Sequence, residues 1–151
     1  MLNHLEHLLV QTADIEKTVE WYVRVLGMRD GEHPDFKFPV RWLYIGDRDV
    51  IHVAQGGAQV SENRKKYLGQ HSEALSGSGV IDHIGFRCTG LKDTMAHLER
   101  ENVSFQTRQV DDQGLFQLFL FDPNGVKVEL NFANEEAEGV KPSVKASDLK
   151  N

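Results

Sequence analysis

The stretch from Leu5 to Gln11 is short, apolar and strand-like, and it gives way to Ile15, Val19, Tyr22 and Leu26 at spacings i, i+4, i+7 and i+11. The second pattern is one face of an amphipathic helix. Thr12 and Asp14 stand where a helix cap is needed, and Gly27 stands where the helix must stop. After a turn-rich stretch around Gly31 and Pro34, the runs WLYI and VIHVA flank GDRD, which predicts a hairpin. The same order then returns. Ile81 to Arg87 reads as a strand, and GLKDTMAHLEREN as a helix with Leu91, Met95 and Leu98 on one face. Then come a weak strand near Gln106 to Val110, the run FQLFLF, the turn DPNG and the strand VKVELNF. Ile15 and Leu91, Val19 and Met95, and Tyr22 and Leu98 are each 76 positions apart, so the chain is an internal repeat of two βαβββ modules. The fold class is α+β. Module one occupies about residues 1–55, a polar, glycine-bearing linker 56–79, and module two 80–132. The linker is expected to be mobile apart from a helical turn at NRKKYLG. Residues 133–151 are expected to form a flexible tail.

Alternation along the strands sorts side chains by face. Leu8 and Val10 oppose His7, Leu9 and Gln11, while Ile84 and Phe86 oppose His83, Gly85 and Arg87. In each module the helix can cover the aliphatic face and leave the histidine uncovered. On the last strands Ile51 and Val53 oppose Val50, His52 and Ala54, and Val126, Val128 and Leu130 oppose Lys127, Glu129 and Asn131. His7 and His83 are 76 positions apart, and His52 and Glu129 are 77 apart. A lone strand histidine usually reads as a hydrogen-bonded or surface residue. Four ionisable groups at repeat-equivalent places on one face read instead as ligands, because unpartnered inward charges are costly. If the modules pair about a pseudo-twofold axis, His7, His52, His83 and Glu129 would surround a divalent transition ion such as Fe(II), Mn(II), Ni(II) or Zn(II). His4, His33, His71 and His97 lie off this pattern.

Composition narrows the partner. The 151 residues are 40% hydrophobic and 26% charged, as in an ordinary globular domain, with a formal net charge of −6. No basic field is available for nucleic acid or for an anionic membrane surface, so a small-molecule substrate is expected. Cys88, the single cysteine, cannot form an internal disulfide, and the first residues lack the apolar core of a signal peptide. A cytoplasmic protein is expected.

With His7 followed by Asp14, then WYVRVLGM, DHIGF and FDPNGVKVELNF, the chain resembles the vicinal oxygen chelate superfamily. That superfamily includes glyoxalase I, methylmalonyl-CoA epimerase, extradiol dioxygenases, fosfomycin-resistance enzymes and bleomycin-binding proteins. The resemblance covers about residues 4 to 132, one vicinal oxygen chelate domain. It implies paired βαβββ modules in a curved open barrel around a metal, and a homodimer. It matches His7, His83 and Glu129 to the shared metal ligands, and His52 to the further ligand of glyoxalase I. The bacterial glyoxalase I form carries a Glu there, so an imidazole at that place alters ligand charge and basicity.

The resemblance implies a metal that chelates a substrate through two neighbouring oxygens as a Lewis acid. For a glyoxalase-like lyase or isomerase, Glu129 or His52 would move a carbon-bound proton. The alternative is an extradiol-type dioxygenase, with His7, His83 and Glu129 as the facial triad of Fe(II). A metal-free protein that sequesters an aromatic drug is the rival outside enzyme chemistry. For specificity, Leu43 and Ile45, with Leu118 and Leu120 as counterparts, form the expected helix-facing set, which turns Trp42, Tyr44, Gln117 and Phe119 toward a flat or partly apolar substrate. Arg87 shares the His83 face and suits a carboxylate or phosphate. Asp82 is expected on the other face, in a structural role.

Overall fold

A computed structural model describes residue 1 and residues 3–68, 73–79 and 81–149. The chain divides into two compact units, Met1–Gly77 and Ser78–Asn151. In the first, β1 (Leu8–Thr12) is followed by α1 (Ile15–Leu26), β2 (Arg29–Gly31), β3 (Val40–Ile45) and β4 (Arg48–Gln55). These strands make an open mixed sheet of order β1-β4-β3-β2, with β1 parallel to β4. The helix begins and ends where its capping residues stand. The Asp14 side chain accepts from the Lys17 amide at 3.0 Å, and Gly27 ends the helix at φ 69 in the left-handed region that glycine adopts without strain. Val19, Tyr22 and Val25 are buried, as are Val10, Leu43, Ile51 and Val53 of the sheet. The strand starts later than Leu5, so His7 stands just before β1.

In the second unit, β5 (His83–Arg87), α3 (Leu91–Arg100), β6 (Gln106–Val110), β7 (Leu115–Phe121) and β8 (Lys127–Ala133) repeat the order. Here Leu91 and Leu98 of the helix are buried, together with Phe116, Leu118, Leu120, Val128 and Phe132 of the sheet. The turn between β7 and β8 is closed by Asp122, whose Oδ1 accepts from the amides of Asn124 at 2.7 Å and Val126 at 2.9 Å.

Cross-strand registers confirm the repeat and correct one detail of it. Leu9 faces His52 across the parallel pair, and Gly85 faces Glu129 in the equivalent pair. Leu9 and Gly85 are 76 positions apart, so His52 and Glu129 occupy the same place in their sheets despite a separation of 77. Trp42 lies opposite His52 and Phe119 opposite Glu129, which makes Trp42 and Phe119 counterparts. Leu43 therefore corresponds to Leu120 rather than to Leu118. Ile45 is 50% exposed and leaves the expected helix-facing set, since it ends β3 beside the hairpin turn.

The segment after Phe132 is built into the fold rather than frayed. A 3-10 turn at Asn134–Ala137 buries Ala137, and β9 (Val144–Lys145) pairs parallel to β6 as the fifth strand of the order β5-β8-β7-β6-β9. Gly90 offers α3 no capping side chain. The Glu136 carboxylate supplies it from the tail, accepting from the amides of Gly90 at 2.6 Å and Leu91 at 2.9 Å. Glu136→Ala leaves both donors without that partner and removes a negative charge from a helix N-terminus. It is expected to cost about 1–2 kcal/mol, read as a lower urea midpoint at unchanged m-value. An unchanged midpoint would show that the tail adds nothing to the second unit.

Part of the expected linker is also ordered. A 3-10 turn at Gly57–Gln59 leads to α2 (Glu62–Leu68), the predicted helical turn, and both belong to the first unit. His71 and Val80 lie outside the described residues. Among the described residues no helix is long and apolar enough to cross a membrane.

Candidate functional site

In the first unit, three of the expected site residues meet. The His52 ring stacks on Trp42 at 4.1 Å between centroids and 4° between planes, and on its other side lies His7 at 3.8 Å and 18°. Trp42 and His52 are register partners on adjacent antiparallel strands, which puts their side chains on one face. Phe36 extends the run of rings at 6.1 Å from Trp42, and Phe38 and Tyr67 pack against Phe36 at 5.4 and 5.3 Å. Tyr44 is not part of this group. Its ring lies under the Arg29 guanidinium at 4.5 Å, and its hydroxyl donates to the Glu32 carbonyl at 2.7 Å. It also covers Gly31, where a Cβ would come within 2.6 Å of the ring. These contacts give Tyr44 the closure of the β2 edge as its local role.

Strict alternation puts Asp49 and His52 on opposite faces, yet Asp49 Oδ2 sits 2.7 Å from His52 Nε2. A register shift between Leu43 and Tyr44 pairs Leu43 with Ile51 and Tyr44 with Asp49, and the skipped residue turns the Asp49 side chain over. Such a bulge has no signature in the alternation of apolar residues, which is why sequence reasoning missed Asp49. Burial pushes the His52 pKa below its ordinary value, and the bond to Asp49 opposes that shift without reversing it. The same bond holds the Asp49 carboxyl below the usual carboxylate range. His52 is therefore a neutral imidazole near pH 7, the form that can ligate a metal or accept a proton.

The second unit gathers a different constellation. His83 Nε2 lies 3.1 Å from Glu129 Oε2, and Phe119 meets His83 edge-on at 6.5 Å. Glu129 is buried, and its Oε1 accepts from Gln117 Nε2 and Asn131 Nδ2, each at 2.8 Å. Gln117 Oε1 in turn accepts from Arg108 Nε at 2.8 Å, and the Arg108 guanidinium lies 4.5 Å from the centre of the Phe119 ring. Asp82, expected on the opposite face, instead approaches His83 Nδ1 at 2.8 Å and pairs with Lys127 at 2.5 Å. It precedes β5, so strand alternation does not govern it. Lys127 first and His83 second lower the Asp82 pKa, leaving a carboxylate to orient the ring. Arg87 stands at the far end of β5, exposed and four residues from His83. Beside this group a cleft of about 600 Å³ is lined by Arg108, Phe119, Phe121, Lys127, Val144 and Leu149, among others.

The donor chemistry suits a divalent ion. Two ligand atoms 3.1 Å apart match neighbouring corners of a coordination shell with bonds of about 2.1–2.2 Å. The outward nitrogen of His83 and the outward oxygen of Glu129 are already held by Asp82, Gln117 and Asn131, the kind of support that aims metal ligands. His7 and His52 differ in geometry. Stacked imidazoles send their in-plane lone pairs side by side, so these rings must turn before both can face one ion. Within neither unit do three or more His, Cys, Asp or Glu side chains gather as a metal-holding group, among the described residues.

A family model described as the Glyoxalase/Bleomycin resistance protein/Dioxygenase superfamily matches residues 4–130. Over 142 residues the chain is 24% identical to a lactoylglutathione lyase of Salmonella typhimurium, covering 90% of this chain and 97% of that one. It is 27% identical over 141 residues to a lactoylglutathione lyase of Pseudomonas putida, covering 82% of each. Among solved structures, a glyoxalase/bleomycin resistance protein/dioxygenase from Nocardioides superposes with a TM-score of 0.66 at 14% identity, over 89% of this chain and 86% of that one.

Proposed function

Because the chain belongs to the Glyoxalase/Bleomycin resistance protein/Dioxygenase superfamily, we propose that it is a metal-dependent, glyoxalase-like lyase or isomerase. Its substrate is a small molecule chelated through adjacent oxygens. The observation that carries this reading is the His83 and Glu129 pair, 3.1 Å apart, with the far side of each group held by other side chains. Repeat equivalence adds His7 and His52 to the ligand set. When bound, a divalent ion (Fe(II), Mn(II), Ni(II) or Zn(II)) supplies Lewis acidity toward two neighbouring substrate oxygens. The chain's own groups do the rest. Glu129 and His52 are the proton carriers, and Asp49 holds the His52 ring at Nε2. Trp42 beside His52 in the first unit, and Gln117 and Phe119 beside Glu129 in the second, are the side chains proposed to meet substrate. The weak likeness to two lactoylglutathione lyases supports the lyase reading.

A second reading, an extradiol-type Fe(II) dioxygenase, is favoured by one observation. The run of rings from His52 through Trp42 to Phe36 would stack a flat catechol. A cytoplasmic homodimer that binds neither nucleic acid nor membrane belongs to the same proposal.

The test is anaerobic purification with elemental analysis, followed by two assays. Near-stoichiometric metal with hemithioacetal or epimerase turnover is the expected result. Stoichiometric iron with oxygen consumption on catechols would select the dioxygenase instead. Absence of bound metal together with tight binding of an aromatic drug would replace both with a sequestering protein.

A further inference from the structure

Apolar side chains left in water are unfavourable, and the second unit leaves three of them in one place. Phe121 is 60% exposed, Leu149 71% and Val144 44%, and all three line the cleft of about 600 Å³ beside the His83 and Glu129 pair. That volume falls within the range of about 300–1,000 Å³ that small-molecule sites occupy. The residues lining it run from Ser104 to Leu149, so the cleft belongs wholly to the second unit. It shares Phe119 with the candidate site. That ring meets His83 edge-on at 6.5 Å and carries the Arg108 guanidinium 4.5 Å from its centre.

One wall of the cleft is the C-terminal segment, which lies beyond the residues 4–130 that the family model matches. Hydrogen bonds fix this segment in place. The Ser143 amide donates to Thr107 Oγ1 at 2.8 Å, β9 runs parallel to β6 with Val144 opposite Arg108, and Ser147 Oγ donates to Asp111 Oδ2 at 2.5 Å. Val144 and Leu149 are nevertheless exposed, so neither side chain is there to fill the core. Charge lies within the same cleft. Lys127 is paired with Asp82, but no carboxylate of the described residues pairs with Arg108, whose Nε donates to the neutral Gln117. An apolar wall and an unpaired guanidinium in one cleft complement a hydrocarbon body that carries one acidic group.

We propose that the C-terminal segment is a specificity element, in which Val144 and Leu149 hold the apolar body of the substrate and select an amphipathic organic acid. This names a substrate class for the site proposed above and rests on that reading for the reacting end. The cleft itself stands on the second unit.

The test measures calorimetric binding of 4-phenylbutyrate, and of 4-phenylbutan-1-ol, which has the same body without the charge. The proteins are the full-length wild type, the double variant Val144→Ser with Leu149→Ser, and Arg108→Met, with metal content assayed in each. Wild type is expected to bind the acid at one site per chain, at least fivefold more tightly than the alcohol. The double variant, changed only at exposed positions, is expected to bind both probes at least fivefold more weakly at unchanged metal content. Arg108→Met is expected to bind acid and alcohol equally. Should that variant fail to fold, the wild-type comparison of acid with alcohol decides the role of charge. Equal binding by wild type and the double variant would overturn the proposal, and so would absence of binding by wild type. Preference for the acid retained in Arg108→Met would overturn the part given to Arg108. No metal in any of the three proteins, with tail-dependent binding of the acid retained, would overturn the metal reading and support this one.

Discussion

Glu129→Gln is expected to weaken divalent-metal binding by more than about 100-fold in competition with a chelator, and to reduce turnover correspondingly. The substitution keeps the volume of the side chain and removes its charge. It also replaces one acceptor oxygen with an amide donor, in a pocket where Gln117 and Asn131 both donate to the carboxylate. The new NH₂ must then face either those donors or the ion, and neither arrangement is favourable. Gln117→Leu provides the graded control. It removes the support for Oε1 while leaving both expected ligands of the second unit, and effects of about 10–100-fold are typical of such supporting groups. Wild-type affinity in Glu129→Gln would mean that the pair beside His83 is an ordinary buried hydrogen bond.

Phe116→Ala is expected to produce the largest loss of stability, about 3–5 kcal/mol in denaturant unfolding of the second unit. Phe116 is fully buried, and so is Phe132, its register partner across β7 and β8. Truncation removes ring area from water-excluded packing and leaves a void that two hydrogen-bonded strands cannot close. Those strands carry Gln117, Phe119 and Glu129 on the other face, so the loss should also disturb metal binding. A change below about 1 kcal/mol would show that the core had repacked around the missing ring.

The periodicity of apolar residues was enough to locate α1, α3 and the longer strands, because burial of one face imposes a period of two or 3.6 on any sequence that folds this way, whereas the short β2 and β9 carry too few residues to show a period. The duplication was equally legible, and the strand registers bring His52 and Glu129, 77 positions apart, to the same place opposite Leu9 and Gly85, which are 76 apart. The family signature in DHIGF and FDPNGVKVELNF reached the same architecture independently. Asp49, Asp82, Tyr44 and the tail escaped this kind of reading for separate reasons. A one-residue bulge turned Asp49 onto the His52 face. Asp82 lay one position outside the strand that would have governed it. Tyr44 found nearer partners in Arg29 and Gly31, and Glu136 acquired its role only because α3 begins at a glycine that cannot cap it.

Sequence alone thus determined the principal helices and strands, their repetition and the four residues proposed to hold the ion, since these depend on spacing along the chain, while β9 and the ordered tail appeared only in the fold. Which nitrogen or oxygen of His52, His83 and Glu129 is held by a neighbouring side chain emerged only on folding. Hydrogen bonds and solvent exclusion depend on groups brought together across strands, and linear order does not encode their distance.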